Sequence, residues 1–183
     1  MCRPPWVIYL GTMLLTFSLL GCQSSARNTQ LHQFSDTPPD FAVELFVQGT
    51  VNSPNTRTQR SKYLLEPNHR LHLALDHQAQ EQNYPVRYLK LRIAQYNQLV
   101  GIAMQANLMA EPSSPYAEKI LSEGQKNDSS RPLIHVAVTS WGKTNRYVTT
   151  GKDSPPTQVL LDKMILYTGR KLPADSTDFH RGY

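Results

Sequence analysis

Few side chains in this sequence have the type and spacing to make or break bonds. Imidazoles and carboxylates gather in one stretch, at His69, His72, Asp76 and His77. On a strand, His72 and Asp76 share a face, with His69 at the turn before them, which offers two or three ligands for a metal or groups for acid–base work. The spacing matches neither the helical His-Glu-x-x-His pattern nor a facial triad, and histidines on a solvated strand face are the commoner case. His135 stands alone within the apolar run Leu133-Ile-His-Val-Ala-Val. A nucleophilic serine needs a sharp turn with histidine and carboxylate in reach, and no Gly-x-Ser-x-Gly occurs. Ser129 and Ser130 fall in a polar loop, and Ser140 falls in a strand beside Trp141. No acidic pair suggests glycoside hydrolysis, no glycine-rich strand-to-helix loop suggests nucleotide binding, and no cofactor is implied.

Thiols occur only at Cys2 and Cys22, too few for a disulfide scaffold or a four-cysteine zinc site. The 183 residues are 39% hydrophobic, enough for one core with appendages. A formal net charge of +5 is a mild excess, not the basic block of a nucleic-acid arm, so no nucleic-acid partner is expected.

The N-terminus carries the clearest information. After Met1-Cys-Arg-Pro-Pro-Trp, the run Val7 to Leu20 is free of charge. Its fourteen residues span roughly 21 Å as a helix, short of a ~30 Å hydrocarbon core. That length favours the apolar region of a signal peptide over a permanent transmembrane helix. Leu19-Leu20-Gly21-Cys22 closes the run and resembles the lipobox of bacterial lipoproteins. The resemblance implies that Cys22 is alkylated by diacylglycerol, that the small Gly21 admits the peptidase, and that the freed amine takes another acyl chain. Two or three such chains make a stable anchor. Cleavage would remove Cys2 and Arg3, leaving no free thiol and a net charge of about +4. Gln23, rather than aspartate, after the cysteine points to the outer membrane, with the domain facing the periplasm.

This places a signal peptide at 1–21, a tether at 22–39, a folded domain at 40–170 and a polar tail at 171–183. The stretch Gln23 to Pro39 is polar, aperiodic and closed by two prolines. It spans about 20–25 Å as a coil and about 56–61 Å fully extended.

Alternation predicts strands at Phe41–Val47, Ser61–Glu66 and Arg70–Asp76, the last two joined by a turn at Pro67-Asn68. His77–Asn83 reads as a polar connection and Tyr84–Leu91 as an extended segment. Helical spacing runs from Ile93 to Leu108, with Gly101 suggesting close packing on a sheet. Glu111–Arg131 reads as a long surface excursion around a short helix near Tyr116–Leu121. Leu133–Trp141 is the clearest strand, Gly142-Lys-Thr its turn and Asn145–Thr150 its partner. Ser154-Pro-Pro starts a final helix with serine as N-cap, and Gly169 ends it. The sum is an α+β fold: an antiparallel sheet of five to six strands with two helices on one face.

Two surfaces are candidates for binding. Arg87, Lys90 and Arg92, among Tyr84 and Tyr88, suit an anionic partner, although basic residues also protect a sheet edge. Trp141, before Gly142, suits a hairpin-tip anchor. Tyr-Leu-Leu-Glu-Pro at 63–67, and Tyr84-Pro-Val-Arg87 feeding a helix from Ile93 to Leu108, resemble small uncharacterised lipoproteins of planctomycete-type bacteria over residues 40–108. That resemblance implies no activity. The expectation is a lipid-anchored envelope module, attached to the membrane through Cys22, that binds or scaffolds an envelope protein or cell-wall component. The competing expectation is a small envelope hydrolase or metal-dependent enzyme using the His69, His72 and Asp76 region, or His135.

Overall fold

A computed structural model describes residues 37–124 and 130–173. Cys22 and most of the expected tether and tail lie outside the described residues. Six strands form one antiparallel sheet: β1 Ala42–Gln48, β2 Ser61–Leu65, β3 Arg70–Leu75, β4 Tyr88–Lys90, β5 Leu133–Ser140 and β6 Lys143–Thr149. Their spatial order is β4-β3-β2-β1-β5-β6. The fold is α+β, as the alternation of apolar and polar residues predicts.

Pairing follows the alternation. Leu45 lies opposite Tyr63 on one side and Val136 on the other, and Val136 lies opposite Tyr147. These side chains share one face, where β1 contributes Val43, Leu45 and Val47, all fully buried. A one-residue slip would turn every one of them to the opposite face, so burial fixes the register.

Helix α2, Ile93–Gln105, adds Tyr96, Leu99, Val100 and Ala103 to that buried cluster. The last helix, Pro155–Tyr167, adds Leu160, Leu161, Met164 and Ile165. Helix α2 starts without a serine or threonine cap; the Gln95 side chain instead accepts the Arg92 backbone N–H at 2.9 Å.

Four α-helices are present among the described residues where two were expected. Asp76–Glu81 forms the six-residue helix α1, because Gln78, Gln80 and Glu81 are good helix formers and Ala79 supplies one buried contact. Pro115–Glu123 forms α3, started by the Ser114 hydroxyl accepting the Ala117 N–H at 3.1 Å and ended by Gly124 at φ 62. Its Ala117 and Ile120 pack with Leu133, in contact with Val148, which by strand parity belong to the opposite face of the sheet. The final helix, α4 in chain order, starts differently from expectation. The Ser154 side chain accepts no capping N–H; its hydroxyl lies 2.9 Å from the Thr157 hydroxyl, while Pro155 and Pro156 have no N–H to satisfy.

Other expectations change too. The extended segment at Tyr84–Leu91 contracts to a three-residue strand: the Pro85 carbonyl meets the His72 ring instead of the ladder, and the chain rejoins β3 only at Arg87, whose carbonyl accepts the Leu73 N–H at 2.9 Å. Gly101 packs against nothing: a Cβ there would meet open space.

Two devices protect the sheet edges. β4 is short and carries exposed charge. At β6, residues 108–114 run alongside the strand: Ser114 donates to the Val148 carbonyl at 2.8 Å, the Ser113 hydroxyl accepts the Val148 N–H at 3.0 Å, and the Asn145 amide holds the Leu108 and Glu111 carbonyls at 3.0 Å each. The loop at 49–60 is fastened to α4 by Arg57, whose guanidinium grips fully buried Asp162 with bonds of 2.9 and 2.6 Å.

Candidate functional site

The face of the sheet opposite α2 and α4 carries the polar residues. Strand register sets one continuous row across it: Tyr88, His72, Leu64, Glu44, Ala137 and Arg146, one from each strand. The next row runs through Lys62, Phe46, His135 and Val148. Phe46, which interrupts the alternation of β1, lies on this face, 5.7 Å from the His135 ring.

At one end of the row His72 is buried and fully engaged. Its Nδ1 is 2.8 Å from the Pro85 carbonyl, and its Nε2 is 3.0 Å from Glu66 Oε2 and 3.1 Å from the Tyr84 hydroxyl. Tyr84 donates in turn to Glu66 Oε1. Partial burial raises the Glu66 pKa, but hydrogen bonds from Tyr84, His72 and Asn68 outweigh it, and the carboxyl ends below its ordinary value. The bond to Glu66 also pushes the Tyr84 phenol up. A general base needs a free ring nitrogen facing a cleft. Here both nitrogens clamp residues 84–85 over the strands, which is a structural use of the imidazole.

The structure separates the other histidine candidates. His69 takes a left-handed conformation (φ 65) in the β2–β3 turn, stacks on Tyr96 at 4.3 Å, and its carbonyl accepts the Leu91 N–H. Asp76 follows the far end of β3, about 23 Å away by strand rise, and holds the Asn52 N–H at 2.7 Å and the Gln59 amide at 2.9 Å. No group of three His, Cys, Asp or Glu side chains among the described residues is arranged to hold a metal.

The proposed surface residues also fall apart. Arg87, Lys90 and Arg92 are exposed along and just beyond the β4 edge. Trp141 lies in the β5–β6 turn at the opposite edge.

Between the covers at the two ends of this face lies a groove of about 290 Å³. Glu44, Phe46, His135, Ala137 and Arg146 line it from the sheet, and Ser113 lines it from the strap along β6. Glu44 is paired with Lys62, whose ammonium lies 3.3 Å from Glu44 Oε1 and 3.2 Å from the Gln82 carbonyl. The Arg146 guanidinium is exposed and, among the described residues, has no hydrogen-bond or ion-pair partner. The methyl of Ala137 between Glu44 and Arg146 leaves the hollow open. Burial lowers the His135 pKa, and its Nε2 is 3.0 Å from Gln48 Oε1. The arrangement can hold a positive group at Glu44 and a negative one at Arg146. Sequence reasoning missed Glu44, Arg146 and Ser113, because only the pairing of β1 with the distant β5–β6 hairpin, and the strap along β6, brings them together.

The β5–β6 turn is tighter than expected. It consists of Trp141 and Gly142, at φ 53 and φ 70, rather than Gly142-Lys-Thr. Both residues take the positive φ of a type I′ turn, a place usually filled by Asn-Gly. A tryptophan there costs about 1–3 kcal/mol. Asp40 sustains it: Oδ1 accepts the Trp141 N–H at 2.8 Å and Oδ2 the Gly142 N–H at 2.6 Å. The bond from Gly142 is the largest influence holding the Asp40 carboxyl below its ordinary pKa.

No protein-family model matches the chain, and no curated protein matches it in sequence.

Proposed function

We propose that the protein is a lipid-anchored module of the bacterial cell envelope that binds its ligand without transforming it. The anchor is an acylated Cys22, and Gln23 directs the protein to the outer membrane, where the domain faces the periplasm. One observation carries the binding reading: Glu44 and Arg146 stand in one row on either side of Ala137, above a groove floored by Phe46 and His135.

Two strand spacings separate Glu44 from Arg146, about 9.6 Å. Three extended residues reach about the same distance. The groove is at the lower limit of small-ligand cavities, so it suits a short peptide end or cell-wall stem peptide carrying both charges. With Lys62 paired to Glu44, Arg146 is left, among the described residues, as a lone cation in the groove, too little positive charge for a nucleic-acid backbone. A hydrolase built on His69, His72 and Asp76 has less support, because the three lie at separate places and His72 is bonded at both nitrogens.

The test is calorimetric titration of the mature protein with a peptidoglycan stem tripeptide bearing free amino and carboxyl ends. Binding is expected, weakened at least about tenfold, or 1.4 kcal/mol, by Glu44→Gln and by Arg146→Gln. Equal affinity in both variants, or no binding by the unaltered protein, refutes the reading of the groove.

A further inference from the structure

The Trp141 turn has a feature the groove does not explain. Its indole is 63% exposed, yet the backbone beneath it is forced into the left-handed region by two bonds to Asp40. Such an outlier persists only when its surroundings over-determine it, and it argues for a role of the presented side chain. Beside it is a hollow of about 300 Å³ lined by Met104, Met109, Asn107 and Lys143. Met104 is itself 42% exposed, and Lys143 is exposed. An amphipathic indole, an exposed thioether and an ammonium at one tip make the combination that sits at the boundary between acyl chains and headgroups.

The position of the tip along the chain names the occupant. Asp40 lies three residues past Thr37, where the described structure begins. Fourteen residues, 23–36, separate Thr37 from Cys22. The surface around Asp40 is therefore the part of the domain that an anchored chain holds nearest the bilayer.

We propose that the Trp141 tip, with Met104 and Lys143, docks the domain on the surface of the membrane that carries its own anchor. This rests on the acylation of Cys22. Trp141 inserts at the headgroup level, and Lys143 meets anionic phosphate.

Removal of residues 1–21 would leave Trp141 as the sole tryptophan, because the other is Trp6. The experiment uses the processed, acylated full chain in vesicles of phosphatidylcholine and phosphatidylglycerol, with and without lipids brominated near the carbonyl end. Flotation reports the anchor, and indole emission reports docking. Expected are flotation with the vesicles, a blue-shifted emission, at least twofold quenching by brominated lipid, and partial loss of that quenching in Lys143→Glu. Flotation with an unshifted, unquenched indole overturns the docking and leaves the anchor standing. Failure to float, with Cys22→Ser behaving as the unaltered chain, overturns both.

Discussion

Replacing Arg57 by methionine removes the only guanidinium bonded to Asp162 among the described residues and leaves the carboxylate buried, at 0% exposure. Gln158 still donates to it at 2.8 Å, but one neutral bond does not replace two charge-assisted ones. Orphaning one member of a buried pair costs about 3–5 kcal/mol. A domain of this size has about 7–15 kcal/mol in total, so the variant should lose about a third of its stability and about 10–20 °C in melting temperature. Replacing both residues, as Arg57→Met with Asp162→Leu, removes the desolvation cost together with the attraction. It should return most of the loss, to within about 2 kcal/mol of the unaltered protein. Urea melts of the mature chain, followed by circular dichroism, give all corners of the cycle. The reasoning fails if Arg57→Met lies within about 1 kcal/mol of the unaltered protein, or if the double variant is less stable than the single one.

Gly101→Ala should raise stability by about 0.4–1 kcal/mol in the same melts, because the added methyl meets nothing and the unfolded chain loses freedom. The His135 pKa is lowered by burial. The unfolded chain therefore takes up its proton first as pH falls below about 6.5, so stability declines from there down to the folded pKa. His135→Gln should flatten that part of the stability–pH curve, and an unchanged slope would contradict this. Neutralising Arg87, Lys90 and Arg92 together should change stability by no more than about 1 kcal/mol per charge, since all three are exposed; a larger loss would show that the β4 edge depends on them.

The strands were legible wherever one face is buried. In β1, β2, β3 and β5, Val43, Leu45, Tyr63, Leu71 and Val136 alternate with polar or half-buried neighbours, and that pattern is visible in one dimension. Helix α1 was hidden because a helix with one buried alanine has no stripe to read. Turn geometry was misplaced by one residue because tryptophan at positive φ contradicts local preference, and the carboxylate that sustains it comes from Asp40, about a hundred residues away. The groove was illegible for a related reason. Glu44 lies on β1, adjacent in space to the β5–β6 hairpin of Ala137 and Arg146 but about ninety residues away in sequence, and no local pattern marks a lone glutamate and a lone arginine as one site. His72 invited chemical interpretation because its partners, Glu66 and Tyr84, reach it only through the fold.

The central position of β1 bears on how the chain reaches this state. Its partner β2 follows closely in sequence, and β3 and β4 add by short connections, so this half of the sheet assembles from local contacts. The other edge of β1 waits for β5, about ninety residues downstream, and closing so long a loop is slow. In the interval β1 presents a bare, seven-residue edge with Val43, Leu45 and Val47 on one side and Phe46 on the other. That strip is open to a neighbour's strand until the β5–β6 hairpin arrives. A chain stopped before Leu133 would not be a smaller version of this domain. It would keep that edge for good, open to pairing with the same edge of another copy.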